Sequence, residues 1–184
     1  MTNENPKGDA TPQDVAVSIV MPCLNEEAGV VQCITDAQSY LANARLTGEV
    51  IVVDNGSTDR SAELAAAAGA RVVHEPHRGY GAALRRGFKE ARGQMLVMGD
   101  CDGTYPFADL QPFIAPIQSG EYDMVIGNRL TKRLDPRAMP WAHRHIGTPM
   151  ISLIIRMFTG LRIRDSQCGL RALNRIGCPG CGGR

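Results

Sequence analysis

Two carboxylates one residue apart follow an apolar run: Met95-Leu96-Val97-Met98 leads into Gly99-Asp100-Cys101-Asp102-Gly103. In extended backbone, residues i and i+2 point the same way, so both carboxylates can address one target. Like charges held together are unfavourable unless a cation sits between them. A hard divalent ion fits, because magnesium is usually bound by one or two carboxylates plus substrate phosphates. The competing explanation is a turn, for which Asp-Gly is ordinary chemistry. A second apolar run, residues 49–53, ends in Asp54-Asn55-Gly56-Ser57-Thr58-Asp59. There Ser57 or Thr58 can cap a helix, leaving Asp54 to accept from a base N–H or a ribose hydroxyl. A third run ends in Pro22-Cys23-Leu24-Asn25-Glu26-Glu27. Asn25 and Glu26 suit nucleoside contacts, although a Glu at this point also favours a helix N-terminus electrostatically. Arg78-Gly79-Tyr80-Gly81 opens a helix, where glycines admit a phosphate close to the backbone and the helix end attracts it.

These polar groups must be carried by an alternating framework. Apolar β-type runs at 17–21, 49–53, 71–74, 95–98 and 123–126 alternate with helical patterns at 26–41, 61–68, 81–91, 106–118 and 149–158. Strand and helix in alternation require crossover connections. The fold class is therefore α/β, a mainly parallel sheet with helices on both faces. Ligands of such sheets bind at the C-terminal strand ends, where Asn25, Asp54, Arg78, Asp100 and Arg129 all fall.

The 184 residues fit one domain, divided here into a polar, disordered leader (1–14), a catalytic domain (15–175) and a Gly/Cys-rich tail (176–184). The net charge of +1 gives no global steer toward nucleic acid or membrane. Its distribution is uneven: Arg129, Arg144, Arg156, Arg162, Arg164, Arg171 and Arg175 crowd the last third, opposed only by Asp135 and Asp165. Such a bias suits phosphate or an anionic surface, with a solvated basic face as the plain alternative. No apolar run reaches the ~18 residues that span a bilayer, and no secretory signal opens the chain. The expected location is cytoplasmic, either free or at the inner face of the membrane. Cys23, Cys33, Cys101 and Cys168 read as reduced structural thiols. Cys178 and Cys181 form a C-x-x-C without the second pair that a zinc site needs. His143 and His145 flank Arg144, which repels a cation.

In combination, VSIVMPCLNEE, VIVVDNGSTDRS, HRGYGAALRRGF, MLVMGDCDGTYP, DMVIGNR and TGLRIRDSQCGLRAL resemble family-2 glycosyltransferases of the GT-A fold, particularly those similar to dolichol-phosphate mannosyl- and glucosyltransferases. The resemblance spans residues 17–173. It implies an inverting transfer of sugar from a nucleotide-diphosphate donor, with Mg2+ or Mn2+ as cofactor. Pro22, Asn25, Glu26, Asp54, Arg78 and Gly79 would line the nucleotide-sugar pocket with Asp100, Cys101 and Asp102. Asp100 and Asp102 would be the D-x-D pair, Asp102 the direct metal ligand. Arg129 would contact phosphate, and Arg144 and Arg171 would play similar roles. Asn55 stands where many relatives carry a second aspartate. The tail IGCPGCGGR departs from a pattern in which relatives continue with further catalytic residues, which leaves open a truncated domain that binds a nucleotide sugar without turnover.

The acceptor expected from the residues is a phosphate, on a polyprenyl or dolichyl lipid by the resemblance. A sugar hydroxyl needs a positioned base, whereas a phosphate monoester, with a second pKa of about 6, is anionic already. Arginine forks suit phosphate. The segment from His143 to Arg164 would then lie on a membrane surface, or the 149–158 helix would pack into the core. Nucleic acid is not an expected partner. A nucleotidyltransferase or a dinucleotide-dependent oxidoreductase would want a Gly-rich loop after the first strand, where this chain has Pro22-Cys23-Leu24-Asn25.

Overall fold

The computed structural model describes residues 15–129, 148–160 and 164–175. The leader 1–14, the loop carrying Pro136, Pro140, His143, Arg144 and His145, and the tail with Cys178 and Cys181 lie outside the described residues. In chain order the elements are β1 (Val17–Cys23), α1 (Val30–Asn43), β2 (Gly48–Asp54), α2 (Ser61–Ala67), β3 (Arg71–His74), α3 (Tyr80–Glu90), β4 (Met95–Met98), α4 (Gln111–Gln118), β5 (Met124–Ile126), α5 (Thr148–Thr159) and β6 (Arg171–Asn174). They form one six-stranded sheet in the order β3-β2-β1-β4-β6-β5.

All seven residues of β1 are buried, as expected of a central parallel strand covered on both faces. Alternation divides them. Val17, Ile19, Met21 and Cys23 pack with buried residues of α1, α2 and α4, whereas Val20 packs with Ala83 of α3. Helices thus cover both faces, three on one and α3 on the other. The β1–β2, β2–β3 and β1–β4 pairs are parallel, so the tips of β1 to β4 share one edge.

Three features differ from the sequence expectation. The strand β6 is additional, and it runs antiparallel between β4 and β5. It starts at the ligand edge and runs away from it, so its first residue, Arg171, stands there in register with Met98 and Ile126. Helix α1 begins at Val30 rather than Glu26, because Asn25 is in the left-handed region (φ 60) and the Glu26 N–H donates to Ser61 Oγ at 2.8 Å. Helix α4 begins at Gln111 rather than Pro106: buried Phe107 is anchored in the core ahead of it, and Pro112 occupies the first turn, where its missing N–H costs nothing.

Close approach of α3 to the sheet depends on Gly87. A Cβ there would stand 2.3 Å from Val20 Cγ1 and 2.9 Å from Val53 Cγ2, both on stiff β-branched side chains. Gly87→Ala should gain about 1 kcal/mol of helix propensity but lose about 1–3 kcal/mol to overpacking. A net loss of stability is expected in urea unfolding; a stabilised variant would contradict this packing.

Candidate active site

The strand tips are laced together before any ligand is considered. Asn25 N–H donates to Ser57 Oγ at 3.1 Å, and Asn25 Oδ1 accepts from the Thr58 N–H at 2.8 Å. Glu27 N–H donates to Asp59 Oδ2 at 3.1 Å, and Arg60 N–H returns to Glu27 Oε2 at 3.2 Å. Ser57 and Thr58 therefore do not cap α2, whose N-cap is Arg60 without a side-chain cap; they join the β2 tip to the β1 tip. Asp54 is buried, with Oδ1 accepting from the Ser57 N–H at 3.0 Å and Oδ2 lying 3.1 Å from His74 Nδ1. Burial pushes its carboxyl up, yet the bonds from Ser57 and His74 outweigh that and hold it below the usual carboxylate range.

Beyond β4 the backbone leaves the extended form. Residues 101–103 bend, Gly103 has φ +83, and Asp102 Oδ1 accepts from the Thr104 N–H at 2.8 Å. Strand alternation is therefore not what brings Asp100 and Asp102 together; the turn does so. Burial, the first cause, raises the Asp100 carboxyl above its ordinary range; the Tyr80 hydroxyl and the Arg129 charge counter this, and the Asp102 charge adds to it. Glu26 is also raised, by burial and then by Asp102, Asp100 and Asp59. Three acids of two loops thus share one field. The intervening Cys101 is fully buried: its free thiol donates to Pro22 O at 3.3 Å and lies beside the free thiol of Cys23. Cys101 is buried as a whole residue, and Pro22 is likewise a buried strand residue.

Two glycines, neither prominent in the sequence, hold this turn from opposite sides. A Cβ on Gly29, at the N-cap of α1, would meet Cys101 O at 2.9 Å and the Asp102 carbonyl carbon at 3.0 Å. A Cβ on Gly169 would meet Tyr105 Oη at 2.8 Å and Asp100 Oδ2 at 2.9 Å, and the Gly169 N–H donates to Tyr105 Oη at 2.9 Å. Burial first of all pushes the Tyr105 hydroxyl up to about 12, so it stays protonated beside Asp100.

The arginines converge on the segment leading into β6. Arg129 donates from N and Nε to Asp165 Oδ2 at 3.0 and 2.9 Å, and from Nη2 to Oδ1 at 3.0 Å. Asp165 is 1% exposed, and sequence reasoning gave it no role beyond a stray negative charge. Arg171 donates from Nε to Cys168 O at 2.8 Å and from Nη2 to Ser166 O at 3.1 Å. Both guanidinium groups are fixed by the protein, and each keeps Nη1 without a partner among the described residues. Arg129 acts electrostatically on Asp100, and Arg171 on Tyr80. Arg78 and Gly79 are exposed at the start of α3, and Arg144 lies outside the described residues.

A family model described as Glycosyl transferase family 2 matches residues 18–177. The chain belongs to glycosyl transferase family 2. Among its relatives, the low-salt glycan biosynthesis hexosyltransferase Agl6 of Haloferax volcanii is 40% identical over 159 residues, 86% of this chain and 38% of the relative. A dolichyl-phosphate hexose transferase of the same organism is 33% identical, over 86% of this chain and 66% of the relative. The chain thus spans less than two thirds of the length of these relatives. Among solved structures, glucosyl-3-phosphoglycerate synthase of Mycobacterium tuberculosis, in complex with Mn2+, UDP-glucose and glycerol 3-phosphate, aligns with a TM-score of 0.66 at 26% identity, covering 89% of this chain and 58% of that one. The same synthase aligns at 29% identity with a TM-score of 0.65, so the six-stranded sheet is GT-A-like.

The donor set suits the metal that a family-2 fold implies. Among the described residues no group of three or more His, Cys, Asp or Glu side chains is arranged around a cation; Asp100 and Asp102 offer hard oxygens only. That is the pattern of an ion that completes its shell from phosphates and water, as magnesium does, and manganese shares the preference for oxygen.

Two outcomes follow. Gly29→Ala should weaken Mn2+ binding about tenfold, near 1.4 kcal/mol, by pushing the 101–102 backbone, read by Mn2+ titration with electron paramagnetic resonance; unchanged affinity would remove Gly29 from the account. Asp165→Ala leaves a partly buried guanidinium unpaired and should cost about 2 kcal/mol in denaturant unfolding. Burial alone would raise Asp165, but the Arg129 bonds hold its carboxyl below the usual range. A depressed folded pKa gives stability that is present above the unfolded value and is lost as pH falls through the folded one. Asp165→Asn should therefore lose most of its deficit relative to wild type in strong acid, and a deficit independent of pH would contradict the ion pair.

Proposed function

We propose that this chain is the catalytic domain of an inverting glycosyltransferase that moves a sugar from a nucleotide-diphosphate donor to a phosphate acceptor, a polyprenyl or dolichyl phosphate. The observation that carries this reading is the placement of two protein-anchored arginines, Arg129 and Arg171, against the same edge as Asp100 and Asp102. Pro22, Asn25, Glu26, Asp54, Arg78 and Gly79 would line the donor pocket, with the buried Cys101 beneath it. Mg2+ or Mn2+ held by Asp100 and Asp102 would neutralise the diphosphate leaving group. Arg129 and Arg171 would orient the acceptor phosphate through their remaining donors. A phosphate oxygen attacks the anomeric carbon as the bond to the donor diphosphate breaks, so configuration inverts in one step. No carboxylate base is required, since the attacking group is already an anion. Asp165 serves this step indirectly, by holding Arg129.

The lipid character of the acceptor is supported by α5. Met150, Leu153, Met157 and Phe158 are 54, 57, 74 and 84% exposed, at spacings that place them on one helical face, with Arg156 beside them. An apolar face flanked by cations is the composition of a helix that lies in a membrane interface. No helix among the described residues is long and apolar enough to cross a bilayer. Relatives named for dolichyl-phosphate and undecaprenyl-phosphate transfer point to the same acceptor class.

The test is transfer of radiolabelled sugar from a panel of UDP-, GDP- and TDP-sugars to polyprenyl phosphate in vesicles containing anionic lipid. Product with inverted anomeric configuration is expected. Arg171→Ala should raise the KM for acceptor at least tenfold and leave donor affinity within twofold. Met157→Ser/Phe158→Ser should reduce co-sedimentation with the vesicles severalfold. Donor binding without transfer to any phosphate acceptor would replace this reading with a nucleotide-sugar-binding domain that does not turn over.

A further inference from the structure

Asn55 follows Asp54 at the tip of β2 and is 5% exposed. All three polar directions of its amide are occupied by backbone. Nδ2 donates to Glu75 O at 2.9 Å and to His77 O at 2.8 Å, and Oδ1 accepts from the Gly79 N–H at 2.7 Å. Its own N–H donates to Cys23 O at 3.0 Å. One side chain therefore clamps residues 75, 77 and 79 of the connection between β3 and α3, the last two of which flank Arg78. The guanidinium of Arg78 lies across the β2 tip: a Cβ on Gly56 would stand 3.8 Å from Nη2 and 3.9 Å from Nε. Among the described residues no ion pair or hydrogen bond engages that guanidinium.

An amide is the group that can make this clamp. A carboxylate of the same shape has no donor, so it would face two carbonyl oxygens at under 3 Å and keep only the bond from Gly79. The repulsion would release the loop and, with it, the base of Arg78. The geometry points to Asn55 as the positioning residue for Arg78, fixing the loop so that this guanidinium meets the anionic diphosphate of a bound nucleotide. This rests on the donor pocket proposed above. It also gives Asn55 a role distinct from ligand contact, because the residue is buried and both amide donors are spent on backbone. Guanidinium binding to phosphate is sensitive to orientation, so a small loop displacement is enough to weaken it.

The test is a double-mutant cycle read by calorimetry, with UDP and GDP as probes at saturating Mn2+. Asn55→Asp and Arg78→Ala should each weaken binding of the nucleoside diphosphate about tenfold. The double variant should be no weaker than Arg78→Ala alone, because Asn55 acts through Arg78. Mn2+ affinity in the absence of nucleotide should stay within twofold of wild type in all three, which a general structural defect would not allow. Asn55→Ser keeps one donor without the negative charge and serves if Asn55→Asp does not fold; it should show a smaller loss with the same non-additivity. Normal binding by Arg78→Ala would overturn the donor-pocket role of Arg78. Weak binding by Arg78→Ala with normal binding by the Asn55 variants, or losses that multiply in the double variant, would overturn the positioning role and leave the pocket standing.

Discussion

Asp100, Asp102 and Glu26 lie in one another's field at the tips of β1 and β4, where burial and mutual repulsion raise the cost of ionising Glu26 and Asp100. Such an arrangement relaxes unless the backbone beneath it is held. Here it is held from both sides by residues without side chains, Gly29 from α1 and Gly169 from the approach to β6. It is braced from below by the buried thiols of Cys23 and Cys101. A divalent cation held there, as proposed above, would relieve this repulsion.

The antiparallel β6 adds to the positive charge at this edge. The strands that run toward this edge bring carboxylates and amides to their tips and lead into Arg78 and Arg129, and β6, which starts there, adds Arg171. Arg171 enters at the first residue of β6, and the preceding segment presents Asp165 to Arg129. A buried ion pair contributes little to net stability; what it contributes here is a fixed direction for one guanidinium. The glycosyl transfer proposed above needs acidic and basic groups close together without mutual neutralisation. Fixing each arginine on protein acceptors other than Asp100 and Asp102 meets that need.

Much of the frame was legible in the sequence because Val/Ile runs in parallel strands are continuous and buried on both faces. β1 to β5 and α1 to α5 were each anticipated, with errors at helix starts. The early start expected for α1 failed because Asn25 turns left-handed, and that of α4 because Phe107 is anchored in the core ahead of it. β6 escaped since Arg171-Ala172-Leu173-Asn174 is short and its pairing with β4 and β5 is a long-range fact. Individual polar residues were harder. Ser57 and Thr58 carry capping chemistry, yet tertiary contacts with Asn25 claim them. Cys101 sits between two candidate ligands but points into the core. Gly29, Gly169 and Asp165 gave no local signal, because what makes each one matter is a neighbour far away in the chain.

The central claim is that Asp100 and Asp102 bind a nucleotide diphosphate through a divalent metal, and calorimetric titration with a panel of UDP-, GDP- and TDP-sugars tests it most directly. The measurement compares wild type with Asp102→Ala, each with and without Mn2+. The account predicts binding of one base class that requires Mn2+ in wild type and is lost in Asp102→Ala, while thermal unfolding of the two proteins without metal stays similar, since Asp102 is exposed. Equal Mn2+-dependent binding by both proteins, or no binding of any donor by a folded wild-type chain, would contradict it.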